Sequence, residues 1–206
     1  MIYLIITTSI NNKHCLVNDN HRKNRYIDSI RSVLDLVKDD SSIKSIIVEN
    51  NGLRKTYLDD LGCDVVYTNN NKMHFTNKGI NELMDIHEVI DKYAIKDNDI
   101  VIKLTGRYKV LRPDFFTCVK ENIETKDAFI KFLNVCTLQF GPTDSVLGLI
   151  GIRCKYLRDF KYENKLSPET EIALHVRSSI SNDRIVEIHD LYLECCFADD
   201  LRIVRV

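Results

Sequence analysis

No stretch of this 206-residue chain approaches the roughly 18 apolar residues that a bilayer-spanning helix needs, so no membrane span is expected. The chain also lacks an excess of either charge. Its 29 Lys and Arg balance 30 Asp and Glu, leaving no global field to draw it to nucleic acid or anionic lipid. No Cys-x-x-Cys pair occurs among Cys15, Cys63, Cys118, Cys136, Cys154, Cys195 and Cys196, so neither a disulfide framework nor a zinc site is expected. A reducing cytoplasm is the natural compartment for such a set. Gly-x-Gly-x-x-Gly and P-loop patterns are missing, which disfavours nicotinamide dehydrogenases and P-loop kinases. There is no low-complexity linker and no internal repeat. The apolar start, Met1 to Ile10, carries no basic leader and no small-residue cleavage site, and it reads as a buried strand.

What is present is a core-forming composition, 44% hydrophobic and 29% charged, at a length that fits one domain over residues 1–206. Ile2 to Thr7, Ser45 to Val48, Asp64 to Thr68 and Ile100 to Leu104 are short, β-branched runs of the kind that form strands buried on both faces. Between them, Arg25 to Val37 has helical spacing. Leu53 to Leu61 predicts a short helix closed by Gly62, and Asn69 to Phe75 a loop. Asn77 is placed to cap a helix carrying Ile80, Leu83, Ile86, Ile90 and Tyr93. This alternation predicts parallel βαβ units, a Rossmann-like half over residues 1–110. Beyond Tyr108 the alternation stops. Pro113 to Ile123 reads as helix. Ala128 to Leu133, Val135 to Phe140 and Val146 to Ile152 read as strands, with a turn at Gly141-Pro142. Ser167, Pro168, Glu169 and Glu171 open another helix, and Arg184 to Val206 holds two strand-like stretches. The 111–206 half is expected to complete the same sheet as a mixed α+β segment.

In an open parallel sheet the ligand lies beyond the carboxyl ends of the strands. Four polar tips meet there: Thr7-Thr8-Ser9, Glu49-Asn50-Asn51, Asn69-Asn70, and Thr105-Gly106-Arg107-Tyr108. Each alone is an ordinary turn or cap, but together they predict a ligand site. Lys103 interrupts an otherwise apolar strand, and a buried ammonium must meet an anion. Two readings stand: an internal salt bridge, or a diphosphate shared with Arg107, whose planar fork suits phosphate oxygens. Gly106 would let a ligand approach the backbone. Asn77-Lys78-Gly79 at a helix start is a weak anion-site signal beside plain capping.

The stretches Asn77-Lys78-Gly79-Ile80-Asn81-Glu82 and Asp99-Ile100-Val101-Ile102-Lys103-Leu104-Thr105-Gly106-Arg107-Tyr108 resemble GT-A-fold glycosyltransferases. The likeness is to small polysaccharide-type enzymes of bacteria and large DNA viruses, some with a Lys-x-x-Gly-Arg-Tyr stretch. It covers residues 1–110 well and the rest loosely. The resemblance implies a three-layer αβα fold with a mostly parallel sheet. It also implies a UDP- or GDP-sugar donor, a glycan acceptor, and, for a viral protein, a host-cytoplasm location. Thr7, Ser9 and Glu49 would hold the nucleoside, and Lys78, Lys103, Thr105, Gly106 and Arg107 the diphosphate. The family's metal-binding Asp-x-Asp belongs at the fourth tip, where this chain has Thr105-Gly106-Arg107. Asp97-Asn98-Asp99 precedes the strand, at the wrong end. Divalent manganese or magnesium stays open, through Asp144 or His189. Glu169 or Asp144 would deprotonate the acceptor. A nucleotidyltransferase is the alternative, although the first tip lacks that class's glycine-rich loop. A non-catalytic nucleotide- or glycan-binding module is the third reading.

Overall fold

A computed structural model describes residues 1–11, 20–52, 54–73, 78–198 and 200–206. Cys15, Leu53, Phe75 and the expected helix cap Asn77 lie outside the described residues. The first half runs β1 (Ile2–Thr8), α1 (Asn20–Val37), β2 (Ile43–Glu49), a 3-10 turn (Tyr57–Leu61), β3 (Asp64–Tyr67), a second 3-10 turn (Asn70–Lys72), α2 (Lys78–Lys92) and β4 (Ile100–Thr105). Gly62 closes the first 3-10 turn at φ 87°, a left-handed cap. The second half is β5 (Lys109–Val110), α3 (Asp114–Asn122), β6 (Ala128–Ile130), β7 (Leu133–Asn134), β8 (Gln139–Phe140), β9 (Leu149–Arg153), α4 (Cys154–Asp159), α5 (Pro168–Ser179), β10 (Ile185–Glu187), β11 (Leu193–Cys196) and β12 (Ile203–Arg205).

Seven strands form one sheet in the order β10-β6-β9-β4-β1-β2-β3. β4, β1, β2 and β3 are mutually parallel, and β9 runs antiparallel between β4 and β6. The strand order turns at β1, which lies between β2 and β4. Side chains alternate across the sheet as a period of two requires. Ile2, Leu4 and Ile6 of β1 join Ile100, Ile102 and Leu104 of β4 in a core shared with α1 and α3. Ile5 and Val101 enter the opposite core, with α2, α4 and α5. Lys103 follows Val101 by two residues, so it occupies an apolar position of that second face. The three layers are thus helix, sheet, helix.

Two expectations for the second half change. Val135 to Phe140 is not one strand but the bend and return arm of the β7–β8 hairpin. Asn134 Oδ1 accepts from the amides of Cys136 and Thr137 at 2.9 Å, and Leu138 sits at φ 57°, so the chain reverses there. The tail also holds three strands instead of two. β11 pairs with β5 on one side and β12 on the other in a small separate sheet, which brings the C-terminal residues back to the β4 tip.

Candidate active site

The carboxyl ends of β1, β2 and β4 open onto a cleft of about 630 Å³ at the reversal in strand order. Thr7, Ser9, Lys78, Lys103, Thr105, Arg107 and Glu169 line it together. Glu49, Gly106 and Asp144 do not. Glu49 is fully buried, and its carboxylate accepts from Thr8 Oγ1 at 2.7 Å, from Ile10 N at 3.1 Å and from Asn51. It shapes the strand tips from beneath, and Asn50 faces the cleft in its place. Asp144 accepts from Asn134 Nδ2 at 2.7 Å and Ser145 N at 2.8 Å, fastening the turn before β9. Those partners hold it in the turn, outside the lining of the cleft. His189 is exposed, away from the cleft. A Cβ on Gly106 would stand 2.9 Å from Thr8 Cγ2 and 3.1 Å from Tyr26 Cδ1. The missing side chain therefore lets the β4 tip lie against Tyr26.

Lys103 has an internal anion. Its ammonium lies 3.0 Å from Glu82 Oε1 and donates to Thr105 Oγ1 and Leu147 O, both at 2.8 Å. Three donors meet three acceptors, the internal salt bridge of the first reading, while Lys103 also lines the cleft. Glu82 also accepts from Thr7 Oγ1 at 2.5 Å, which ties α2 to the tips of β1 and β4.

Arg107 differs. Its Nε donates to Cys196 O at 3.3 Å and its Nη1 to Tyr26 Oη at 3.2 Å, and it has no carboxylate partner among the described residues. Its backbone is clamped: Arg25 Nε and Ser29 Oγ both donate to Arg107 O, at 2.8 and 3.2 Å. Arg22, Arg25, Tyr26 and Ser29 fall at i, i+3, i+4 and i+7, one stripe of α1 facing the β4 tip. Arg22 and Tyr26 line the cleft as well, and sequence reasoning missed both. Helical spacing of apolar residues marks α1 only from Arg25, and the structure begins it at Asn20. The one available signal was the continuation of that stripe a turn earlier.

The first half of α2 also turns a polar face inward, with Asn81 and Asp85 buried, while Leu83 packs against the second core as its spacing predicts. Asp85 accepts from Thr68 Oγ1 at 2.6 Å, Asn70 Nδ2 at 2.8 Å and Asn50 Nδ2 at 3.1 Å. Burial outweighs these bonds and, with the nearby Glu82 charge, pushes its carboxyl up to about 7. An unfolded Asp titrates near ~4, so between about pH 4 and 7 the folded state binds more protons than the unfolded, and stability falls as pH rises through that window. Asp85→Asn is expected to flatten that fall, measured by urea denaturation at pH 4.5 and 7.5. An unchanged slope would exclude Asp85 as its source.

Ser167 caps α5, accepting from Thr170 N at 3.1 Å, with Pro168 in the first turn. Glu171 accepts from the amides of Glu163, Lys165 and Leu166 at 2.6, 2.8 and 3.0 Å. Burial raises its carboxyl, but these backbone bonds outweigh that and hold it below the ordinary value. It secures the loop whose Asn164 and Leu166 form one cleft wall. Glu169 is half-buried in that wall, and its carboxylate has no hydrogen-bond or ion-pair partner among the described residues. Ser145 Oγ fixes its position by donating to Glu169 O at 2.9 Å.

Among the described residues the carboxylates reaching the cleft are Glu82, Asp85 and Glu169. The first is tied to Lys103 and the second to three donors. Among the described residues no three His, Cys, Asp or Glu side chains form a group able to hold a metal ion. Asp97 and Asp99 stand at the far end of β4, paired with Arg158 at 3.2 Å and the N-terminal amine at 3.1 Å. Among the described residues the donor set at the tip does not fit a divalent ion, and no step below is routed through one.

No family model and no curated protein sequence matches the chain. Solved structures do. Glucosyl-3-phosphoglycerate synthase from Mycobacterium tuberculosis, in complex with Mn2+ and UDP-glucose, aligns at TM-score 0.56 and 14% identity, over 90% of this chain and 67% of that one. CMP:2-keto-3-deoxy-manno-octonic acid synthetase complexed with CTP aligns at TM-score 0.54 and 12% identity, over 91% and 89%. The protein has the GT-A type of Rossmann-like α/β fold, with a seven-stranded, mostly parallel central sheet. No described helix is long and apolar enough to cross a membrane.

Proposed function

We propose that this protein is a glycosyltransferase that moves a sugar from a nucleoside-diphosphate donor to a glycan hydroxyl. One observation carries the reading: Arg107, a guanidinium with no carboxylate partner among the described residues, stands at the β4 tip in the cleft where this fold takes its nucleotide. Residues 1–110 serve as the donor half and residues 111–206 as the acceptor half. The nucleoside lies between the β1 and β2 tips, against Thr8, Asn50 and Asn81. The diphosphate meets Arg107. The acceptor enters along the wall of Glu169, Asn164 and Leu166.

In the reaction the anomeric carbon–oxygen bond to the diphosphate breaks, and its electron pair stays on the leaving phosphate oxygen. Arg107 is placed to stabilise that developing charge. A bond forms from the acceptor oxygen to the anomeric carbon, and the acceptor proton passes to Glu169, the carboxylate left without a partner. Incubation with UDP- and GDP-sugars is expected to release the matching nucleoside diphosphate. Pyrophosphate release from a nucleoside triphosphate and a sugar phosphate, without donor breakdown, would overturn this in favour of nucleotidyl transfer.

A further inference from the structure

Arg22 is 3% exposed, and its Nε and Nη1 are buried with no hydrogen-bond partner. Only Nη2 is engaged, donating to Ser9 O at 3.0 Å and Tyr26 Oη at 3.4 Å. No carboxylate lies within ion-pair distance of it among the described residues. A guanidinium stripped of water and left half-bonded is costly, and a bound anion removes that cost. Arg107 stands across the same tyrosine. The two guanidinium carbons lie 5.5 and 5.9 Å from the Tyr26 ring centroid, and both arginines donate to its hydroxyl. Among the described residues the cleft carboxylates do not pair with the two arginines: Glu82 is committed to Lys103, Asp85 to its three donors, and Glu169 makes no ion pair with either.

We infer that Arg22 and Arg107, held on Tyr26, form a diphosphate clamp that does the work a divalent ion does in metal-dependent relatives of this fold. The inference rests on the proposed transfer reaction only for what hangs from the diphosphate, since the clamp itself recognises the phosphates. Two planar forks carry about ten N–H donors, of which four face Tyr26, Ser9 O and Cys196 O, leaving about six for the oxygens of a diphosphate. Two converging cations also repel a divalent ion, and among the described residues no carboxylate cluster offers one a site. Tyr26 is a positioning residue here, fixing both forks, and Gly106 lets the β4 tip reach it.

The test uses inorganic pyrophosphate as probe, titrated calorimetrically into the full chain in excess chelator. Wild type is expected to bind it. Arg22→Met should weaken binding at least tenfold, with a melting temperature no lower than wild type, because a buried unpaired charge has gone. Arg22→Lys should recover only part, since an ammonium lacks the fork. Equal pyrophosphate affinity in wild type and both variants would overturn the clamp, as would a strict need for manganese. Neither result touches sugar transfer. Pyrophosphate binding that depends on Arg22, in a protein that turns over no nucleotide sugar, would instead sustain the clamp and remove the transfer reading.

Discussion

Arg107→Ala is expected to lower turnover of the nucleotide-sugar donor on the order of a hundredfold while the protein stays folded. The leaving diphosphate gains negative charge as its bond to the sugar breaks. A preorganised cation is therefore worth more in the transition state than in the bound donor, roughly 3–4 kcal/mol for such a group. Preorganisation is visible around this side chain. Its backbone carbonyl is held by Arg25 and Ser29 of α1, and its Nε by the carbonyl of Cys196 on β11. The folded state loses only two neutral-acceptor hydrogen bonds on truncation, about 1–3 kcal/mol at most. Arg107→Lys should restore charge without the bidentate fork and recover part of the rate. The split between kcat and KM carries the argument. A variant with raised KM but unchanged kcat would assign Arg107 to ground-state binding alone, and turnover within threefold of wild type would remove it from the site.

Lys103→Met is expected to destabilise the fold by about 2–4 kcal/mol, the cost of stranding a largely buried carboxylate. Glu82 is the stranded partner, with side-chain exposures of 3% for Lys103 and 24% for Glu82 setting the effect below that of a fully buried pair. Thr105 Oγ1 and Leu147 O lose a donor as well. The double variant Lys103→Met, Glu82→Gln leaves no orphaned charge and should regain more than half of the loss. Urea denaturation of wild type, single and double variants measures this. A single variant as stable as wild type would contradict the internal pair and return Lys103 to the list of phosphate ligands.

Much of the first half was legible because its strands are short apolar runs and its helices keep one apolar stripe. β1, β2, β3 and β4 lie within two residues of their expected bounds, and the α5 cap at Ser167 is where its residue types put it. Lys103 was legible as an anomaly, a charge at an apolar position of β4. Its partner was not, because Glu82 lies on α2 and only the folded register sets the two side by side. Gly106 shows the same limit: sequence marks the need for a small residue but not whether ligand or Tyr26 fills the space. Arg22 escaped notice because polar residues on a helix end give no hydrophobic period. In the second half, α4 is a six-residue helix running straight on from β9, with no loop to punctuate it. Glu49 and Asp144 were sensible candidates by position at strand tips and turns. Each is consumed by local backbone and side-chain donors, which sequence does not reveal.

The measurement that bears most directly on the central claim is the transfer reaction in excess chelator, with product analysis of both the nucleotide and the sugar. Wild type is expected to release a nucleoside diphosphate from one class of UDP- or GDP-sugar and to attach the sugar to an oligosaccharide hydroxyl. Glu169→Gln should slow attachment, and Arg107→Ala should slow it about a hundredfold. Absence of any nucleoside diphosphate release from the full panel of donors, with the acceptor glycans present and with chelator replaced by manganese, would contradict the account.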